Sequence, residues 1–435
     1  MERPILLVVA LIAVLAAAEL AVADPSGYLR PEGDPKTREK AARLFDEGTG
    51  YLERGSSAPA LRAFRQAATL CPDFFEARYN VAKLEGEKGG RETAVAKLEA
   101  LGRDFPANVR AFSDLGQLLI EQDPEAAARA FDTAVANAEK LLEDETIKAA
   151  GKSTVAQLAV DAAFAYHNRG ASRLGAGDLD GARADFARSV ELNDANFFSH
   201  YGLGLVLLQQ ADFTGAKASF KRAKALKRSF ADCSIGLARA YLGETPPKPT
   251  FAFAELKEAE ALVGRTAQVE ELYGDAFRLQ KNFDAATERY GTALELGADR
   301  ASIVLKLGLV ARGQGDHDAA KEFWGECIEH TDEARLRARA HQHLGELDEA
   351  DKDFEAAAAH FAKAVELNPE AGGARLHLGA CLFQAGRYEE AEKQLAAAIE
   401  HYGDDPPEAV AEEVALARKL LDKIRSHTDN DTQTD

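Results

Sequence analysis

A glycine-rich stretch, Tyr166–Phe186, holds the residue types most capable of chemistry in this sequence. It reads YHNRGASRLGAGDLDGARADF, with glycines at 170, 175, 177 and 181 and aspartates at 178 and 180. Backbone amides of a glycine-rich loop can cradle phosphate, closely spaced aspartates can ligate a cation, and both residue types also form turns between helices. The dinucleotide fingerprint fails, because Asp180 occupies the last glycine position of a motif starting at Gly175 and no strand precedes it. Of the two interpretations that remain, a metal loop and a turn, the repeat pattern described below favours a turn from Gly175 to Asp180 between two helices.

Other catalytic patterns are absent from the sequence. It contains no HExxH, no GxSxG and no GxxxxGK[ST] motif. His167 and His200 lie near the inner face of neighbouring repeats, but a catalytic pair needs a third, orienting group that the sequence does not identify. We therefore expect no catalytic residue and no cofactor.

One weak metal hypothesis concerns a single helix. His343, Glu346 and Glu349 are spaced to share a helical face, whereas His341 points elsewhere. A solvated helix face explains the same pattern far more often, so we expect no metal site. A hydrolase or metal enzyme remains an unfavoured alternative, which zinc retained through dialysis would revive.

The composition excludes some partners. The chain has 435 residues, is 46% hydrophobic and has a formal net charge of −19. Nucleic acids and anionic membranes attract basic surfaces, so neither is an expected partner. The four cysteines, Cys71, Cys233, Cys327 and Cys381, are widely spaced and form no CxxC pair. They are expected to be small buried hydrophobic residues.

The N-terminus predicts export. Residues 5–18 form an unbroken apolar run, Glu19 ends it, and Ala21-Val22-Ala23 fits a small-residue cleavage site. We predict a signal peptide over residues 1–23 and a linker over 24–40, with an uncleaved anchor as the alternative. The remaining chain has no second apolar segment of span length, so no membrane span is expected after cleavage. Periplasmic or secreted localisation is expected.

Residue types recur along the chain with an offset of 34. Gly170 corresponds to Gly204, Ala182 to Ala216, and Phe186 to Phe220. In each repeat a small residue in a first helix is followed by an alanine and, four positions later, by a bulky residue. The small residues are Gly48, Ala82, Gly116, Gly170, Gly204, Ala238, Gly274, Gly308, Gly345 and Gly379; the bulky residues are Phe64, Leu98, Phe131, Phe186, Phe220, Tyr290, Trp324, Phe361 and Leu395. Small residues allow two helices to approach closely.

This pattern resembles the tetratricopeptide repeat family, which pairs two antiparallel helices in each 34-residue repeat. The resemblance implies an all-α superhelical array over residues 41–405, a capping helix over 406–426 and a tail over 427–435. The predicted repeats lie near 41–74, 75–108, 109–139, 163–196, 197–230, 231–265, 267–300, 301–334, 338–371 and 372–405.

Two regions depart from the repeat. Residues 137–162 are inserted and predict lengthened helices separated by a turn at Gly151, the second capped by Ser153 or Thr154. Near residues 243–250, Pro246, Pro247 and Pro249 argue against a regular helix. Ala252 and Ala254 are both candidates for the small residue that follows. Each region is a hinge, a partner-specific protrusion or a neutral loop insertion.

The resemblance also implies a binding surface. Positions 2, 5, 6, 9, 12 and 13 of a repeat tend to line a groove that holds an extended peptide. In the fourth and fifth repeats an apolar, aromatic patch occupies such positions, and packing between repeats is the alternative role of its residues. The candidate groove residues are Phe164, His167, Asn168, Leu174, Phe198, Tyr201, Leu205 and Leu208.

One family subtype clamps C-terminal carboxylates. Asn80 and Arg110 match two positions of that clamp, but Phe45, Thr49 and Asp114 replace the others, and Asp114 reverses the charge. We therefore reject the clamp. The sequence predicts a non-enzymatic, exported scaffold, in the bacterial periplasm or cell envelope, for protein or peptide partners. An endoplasmic-reticulum co-chaperone is the alternative, although no His-Pro-Asp motif of a J domain is present.

Overall fold

The computed structural model describes residues 34–404, 406–407 and 410–431. Every regular element in these ranges is a helix, 22 in all, which confirms the all-α prediction. The chain divides into two compact units, Met1–Glu244 and Thr245–Asp435, and the boundary falls within the sixth predicted repeat. The predicted signal peptide lies outside the described residues.

The helices of the first compact unit follow one another in pairs, and consecutive helices pack together. They are α1 Pro35–Glu53, α2 Ser57–Leu70, α3 Phe75–Gly89, α4 Arg91–Asp104, α5 Val109–Leu119, α6 Pro124–Glu143, α7 Glu145–Ala149, α8 Lys152–Gly175, α9 Leu179–Leu192, α10 Phe197–Gln209, α11 Phe213–Leu226 and α12 Ala231–Gly243.

The second compact unit continues the same arrangement. Its helices are α13 Pro249–Val263, α14 Ala267–Leu279, α15 Phe283–Glu295, α16 Arg300–Gln314, α17 His317–His330, α18 Ala334–Ala350, α19 Phe354–Leu367, α20 Gly372–Gln384, α21 Tyr388–Tyr402 and α22 Ala411–Asp431.

In the eight repeats that have glycine as the small residue, this glycine faces the bulky residue of the second helix. A Cβ added at Gly170 would lie 3.2 Å from the ring of Phe186, and the other seven glycines are placed alike. The facing pairs are Gly48–Phe64, Gly116–Phe131, Gly204–Phe220, Gly274–Tyr290, Gly308–Trp324, Gly345–Phe361 and Gly379–Leu395. These glycines are therefore required, because the facing bulky side chain occupies the space that a Cβ atom would need.

Two of these rings also touch the next repeat. The ring of Phe186 lies against Gly202, and that of Phe220 against Gly236, where added Cβ atoms would each lie 2.6 Å from ring carbons. Each ring thus packs between glycines of two successive first helices. This packing joins neighbouring repeats as well as the two helices of one repeat.

The glycine-rich stretch is a turn between α8 and α9. Helix α8 ends at Gly175 and α9 begins at Leu179, so the turn is shorter than the predicted span from Gly175 to Asp180. Gly177 has φ +84°, a left-handed conformation that costs other residues energy. Asp178 then caps α9 by accepting a 2.9 Å hydrogen bond from the Gly181 amide. The metal-loop interpretation is not needed.

The same turn recurs in other repeats, where a residue other than glycine adopts the left-handed backbone conformation. Ala211 has φ +59° in the corresponding turn, and Asp212 caps α11 through the Gly215 amide at 2.9 Å. Lys281 and Lys352 occupy the equivalent left-handed positions in the second compact unit. Asp178 of the opening stretch is therefore part of a repeated helix-capping pattern.

The chain is helical at two places where the sequence predicts none. Helix α1 begins at Pro35, inside the predicted linker 24–40, because Asp34 accepts a 3.0 Å hydrogen bond from the Thr37 amide and proline suits the first turn. Helix α22 begins at Ala411 and continues to Asp431, into the predicted tail 427–435. Its buried face includes Val414 and Ile424, whose packing supports the helix.

The insertion contains an extra short helix, α7, which the sequence does not predict. Ile147 of α7 is buried and packs in the same cluster as Leu158 of α8. The N-cap of α8 is Gly151, and neither Ser153 nor Thr154 caps it, because both residues already lie within the helix.

The proline-rich region gives a helix start. Pro249 is the first residue of α13, where its missing amide hydrogen is no loss, so only Pro246 and Pro247 precede the helix. Ala252 is buried and Ala254 is exposed, which settles the small residue as Ala252. Leu256, four positions later, is fully buried.

Two further predictions about the core are confirmed. All four cysteines are buried, and none of them forms a disulfide. Trp324 is fully buried and donates a 3.1 Å hydrogen bond to the Leu305 carbonyl, so it is a core residue.

Candidate functional site

The predicted groove residues divide into two groups. Phe164, Leu174, Leu205 and Leu208 are half-buried, whereas His167, Asn168, Phe198 and Tyr201 are buried, with between 1% and 7% of their surface exposed. The buried group has little surface to offer a partner. Its contacts correspond to the alternative role, packing between repeats.

Asn168 connects two helices of the first compact unit. Its side-chain amide donates to Ser113 Oγ at 2.8 Å, and its carbonyl oxygen accepts from Gln117 Nε2 at 2.8 Å. Both hydrogen bonds join α8 to α5, the first helix of the preceding repeat. The side chain is therefore used in structure.

His167 takes part in a serine–histidine chain that the sequence does not reveal. Ser199 Oγ lies 3.2 Å from His167 Nδ1 and 2.7 Å from Ser189 Oγ, and Ser189 donates to the Ala163 carbonyl at 2.6 Å. All three side chains are buried. Burial lowers the pKa of His167 to about 4, so the ring is neutral at physiological pH. The hydrogen-bonded chain links α8, α9 and α10 within the core.

An open cavity lies instead among α3, α4 and α5. Its volume is about 310 Å³, at the small end of the range for ligand pockets. The lining residues are Tyr79, Ala82, Lys83, Gly86, Glu87, Gly90, Arg91, Ala94, Leu98, Asp114, Gln117 and Leu118. Half of these, including Tyr79, Lys83 and Asp114, occupy positions 5, 6, 9, 12 or 13 of their predicted repeats.

One lining position of the cavity carries glycine. Gly86 is position 12 of the second repeat, where the fourth and fifth repeats have Leu174 and Leu208. Ala94 of α4 approaches so closely that an added Cβ at Gly86 would lie 2.6 Å from the Ala94 Cβ. Ala94 therefore fills the place of a Gly86 side chain, and these two small residues bring α3 and α4 close together beside the cavity.

Tyr79 and Asp114 meet within the cavity lining. The Tyr79 hydroxyl donates a short hydrogen bond to Asp114 Oδ2, and burial raises the pKa of the Tyr79 phenol well above its ordinary value. Burial also raises the pKa of Asp114, against the opposing effects of the Tyr79 hydrogen bond and the positive charges of Arg110 and Lys83. A carboxylate in such a place gains from a further donor.

Neighbouring residues fix this pair. Arg110 binds Asp161 of α8 with its guanidinium at 2.9 and 3.0 Å and lies 5.4 Å from the centre of the Tyr79 ring. Arg91, on the wall, donates to the Leu118 carbonyl at 2.8 Å and to Glu121 at 2.6 Å. Both guanidinium groups are thus engaged within the protein.

The structure supplies a reason for rejecting the carboxylate clamp. Asn80 is buried and donates to the Glu76 carbonyl at 2.8 Å, and Arg110 is paired with Asp161. The two matching residues are therefore occupied, and Asp114 adds negative charge where a carboxylate would have to bind.

The metal hypothesis is not supported by the described geometry. His343 Nδ1 lies 3.2 Å from Glu346, whereas Glu349 pairs with His377 at 2.9 Å. Within residues 34–404, 406–407 and 410–431, no group of three or more His, Cys, Asp or Glu side chains is placed to hold a metal ion. In the same ranges, no helix combines the length and apolar character that crossing a bilayer requires.

Family models match three segments of the chain. Residues 167–229 and 256–323 match one tetratricopeptide repeat model, and residues 350–411 match another. The type IV pilus assembly protein PilF of Pseudomonas aeruginosa is 30% identical over 154 residues, or 35% of this chain. The match spans 58% of the length of that curated relative.

Solved structures give distant similarities over more of the chain. The APC/C hetero-tetramer Cut9–Hcn1 contains a chain that is 15% identical, with 95% of this chain and 81% of that chain covered and a TM-score of 0.45. Yeast Tom70 is 14% identical, with coverages of 90% and 96% and a TM-score of 0.42. From the family models, residues 167–229, 256–323 and 350–411 of this chain are tetratricopeptide repeats.

Proposed function

We propose that this protein is a non-catalytic scaffold that holds an extended segment of a partner protein in the cavity among α3, α4 and α5. The observation that carries the proposal is the cavity itself, which lies at groove positions of two successive repeats. Apolar walls with a few fixed polar groups are typical of recognition sites.

The cavity suits a side chain of a bound peptide. Ala82, Ala94 and Leu98 offer apolar contact, and Asp114 and Gln117 offer hydrogen-bond acceptors. Apolar pockets that receive side chains give a peptide specificity, while polar groups fix its position. The half-buried leucines of the fourth and fifth repeats, Leu174, Leu205 and Leu208, extend the proposed binding surface along the chain.

We also propose that the scaffold acts after export, in the periplasm or cell envelope. The apolar run at residues 5–18 and the Ala21-Val22-Ala23 site support export. The similarity to a type IV pilus assembly protein is consistent with a role in protein assembly. Cell fractionation with N-terminal sequencing tests this part; a cytoplasmic protein retaining Met1 would contradict it.

Photo-crosslinking in cells tests the proposed cavity. A photoreactive amino acid replaces Glu87, which is exposed on the cavity wall, and a matched control replaces Glu99, which is exposed on α4 and does not line the cavity. The expected result is a discrete crosslinked partner from position 87 but not from position 99.

A blocking variant makes the same experiment specific. Lys83→Trp places a large side chain in the cavity and is expected to reduce the position-87 crosslink about tenfold. Crosslinking that is equal at both positions, or unchanged by Lys83→Trp, contradicts the proposed site.

A further inference from the structure

We propose that the cavity among α3, α4 and α5 takes a basic side chain of the bound peptide, with arginine preferred over lysine. This inference rests on the proposed peptide-binding function. It concerns which type of peptide side chain the cavity selects, and the presence of the repeats does not determine that.

Acceptors on one helical face carry the inference. Asp114 and Gln117 are three residues apart on α5 and line the same cavity. Asp114 accepts from Tyr79 through Oδ2 only, and Gln117 uses its amide nitrogen to donate to Asn168. Among the described residues, no hydrogen bond reaches Asp114 Oδ1 or Gln117 Oε1. Two fixed oxygen acceptors suit a guanidinium, which carries five N–H donors and no acceptor.

The charges of the wall favour a cation. Glu87 has no ion pair with the described residues, and the guanidinium of Arg91 is already held by Leu118 and Glu121. An anionic ligand would therefore meet two carboxylates, at Glu87 and Asp114, and among the described lining residues Lys83 is the cation that no protein carboxylate already holds.

Lys83 is the opposing charge. Its ammonium has no carboxylate within 4.0 Å among the described residues, yet it lies close enough to lower the pKa of Asp114. It therefore helps to keep Asp114 ionised in the empty cavity. Once a ligand cation binds Asp114, Lys83 repels that cation, so its removal strengthens binding.

The walls fit the remainder of a basic side chain. Ala82, Ala94 and Leu98 are apolar, and the aliphatic stem of arginine or lysine packs well on such surfaces while its charged end reaches a polar group. The chain's formal charge of −19 also raises the rate of encounter with basic segments.

The first test measures the selectivity of the full-length protein. Four acetylated and amidated heptapeptides differ only in the central residue, which is arginine, lysine, norleucine or glutamate. Titration calorimetry is expected to give the order arginine, lysine, norleucine, glutamate, with arginine about tenfold tighter than norleucine. Norleucine binding as tightly as arginine, or glutamate binding best, overturns the inference but leaves the proposed peptide-binding function standing. Binding of none of the four peptides contradicts both.

Two variants of the cavity are expected to change the affinity for the arginine peptide in opposite directions. Asp114→Asn keeps an acceptor for Tyr79 and is expected to weaken the arginine peptide about tenfold, whereas Lys83→Gln is expected to strengthen it about threefold. Glu99→Gln changes the net charge as Asp114→Asn does, away from the cavity, and should change affinity less than about twofold. The reverse pattern identifies an anion site, and equal effects of Asp114→Asn and Glu99→Gln identify a general charge effect; either result overturns the inference. Circular dichroism confirms that each variant is folded.

Discussion

The ring of Phe220 occupies the space that a side chain at Gly204 would need. An added Cβ at Gly204 would lie 2.7 Å from Phe220 Cε1, and Phe220 is fully buried. Gly204→Leu is therefore expected to lower the free energy of unfolding by about 1–3 kcal/mol through overpacking, as measured by urea unfolding.

Gly50 provides the matched control in the same compact unit. An added Cβ there meets only the end of the flexible Arg54 side chain, at 3.4 Å. Gly50→Ala should therefore stabilise helix α1 by up to about 1 kcal/mol. If Gly204→Leu and Gly50→Ala changed the free energy of unfolding equally, contact with Phe220 would not be the cause of the destabilisation at Gly204.

A smaller side chain in place of Phe220 should reduce the clash that a side chain at position 204 makes. The second repeat has Ala82 and Leu98 at the positions of Gly204 and Phe220. Phe220→Leu combined with Gly204→Ala is therefore expected to cost less than the sum of the two single changes, with a coupling of about 0.5 kcal/mol or more. A double-mutant cycle measures this coupling; strict additivity would contradict the facing-pair packing.

Substitutions in two corresponding turns should change the free energy of unfolding in opposite directions. Gly177 and Ala211 both have left-handed φ values at corresponding positions of two neighbouring repeats. Gly177→Ala should lower the free energy of unfolding by about 1 kcal/mol, and Ala211→Gly should raise it by up to about 1 kcal/mol. Chemical denaturation of both variants tests the pair, and effects of the same sign would be inconsistent with one shared turn.

The two aspartates of the glycine-rich stretch should differ in importance. Asp178 caps α9, whereas Asp180 lies inside the helix and accepts one hydrogen bond from Gln210 at 2.8 Å. Asp178→Ala is expected to cost about 1 kcal/mol and Asp180→Ala less than about 0.5 kcal/mol. Thermal unfolding with and without added Ca²⁺ or Mg²⁺ tests this. Stability that depends on the cation and on both aspartates would restore the metal-loop interpretation.

His167 predicts a loss of stability in acid. Its pKa is about 4 in the folded protein, below the ordinary value of 6.5, so the unfolded chain binds a proton first as the pH falls. The contribution of neutral His167 is therefore complete above pH 6.5 and is lost between pH 6.5 and about 4.

A variant that keeps the ring but not the titration isolates this effect. Between pH 7 and about pH 4, the free energy of unfolding of His167→Phe is expected to fall by on the order of 3 kcal/mol less than that of the wild type. Urea unfolding across that range measures the difference, and parallel pH profiles for the two proteins would disprove it.

The sequence predicts the repeat frame but does not predict which groove positions are exposed, for a physical reason. Facing pairs such as Gly170 and Phe186 lie within one repeat, so residue type and spacing are enough to find them. The exposure of a groove position depends on what neighbouring repeats place over it. His167 sits at such a position, yet Phe186 and Ser199 contact it, and it is buried.

Tyr201 shows the practical effect of this difference. Tyr201 is a candidate groove residue by sequence, which would make Tyr201→Ala a test of binding, but the buried ring packs against Phe220 and Phe230. The change would therefore disturb the core. Position 12 gives a clearer sequence signal, because Gly86 interrupts a series of large residues at that position and lines the cavity.

The rings shared between repeats constrain how this chain can evolve. Gly170 lies 16 residues before Phe186, and Gly236 lies 16 residues after Phe220. Loss of residues 187–220 by recombination would join these halves, leaving Phe186 with Gly170 on one side and Gly236 on the other. A deletion across this junction that is not a whole number of repeats would change the spacing between the ring and one of its glycines. The array can therefore shorten or lengthen by whole repeats, with the packing at the new junction already in place.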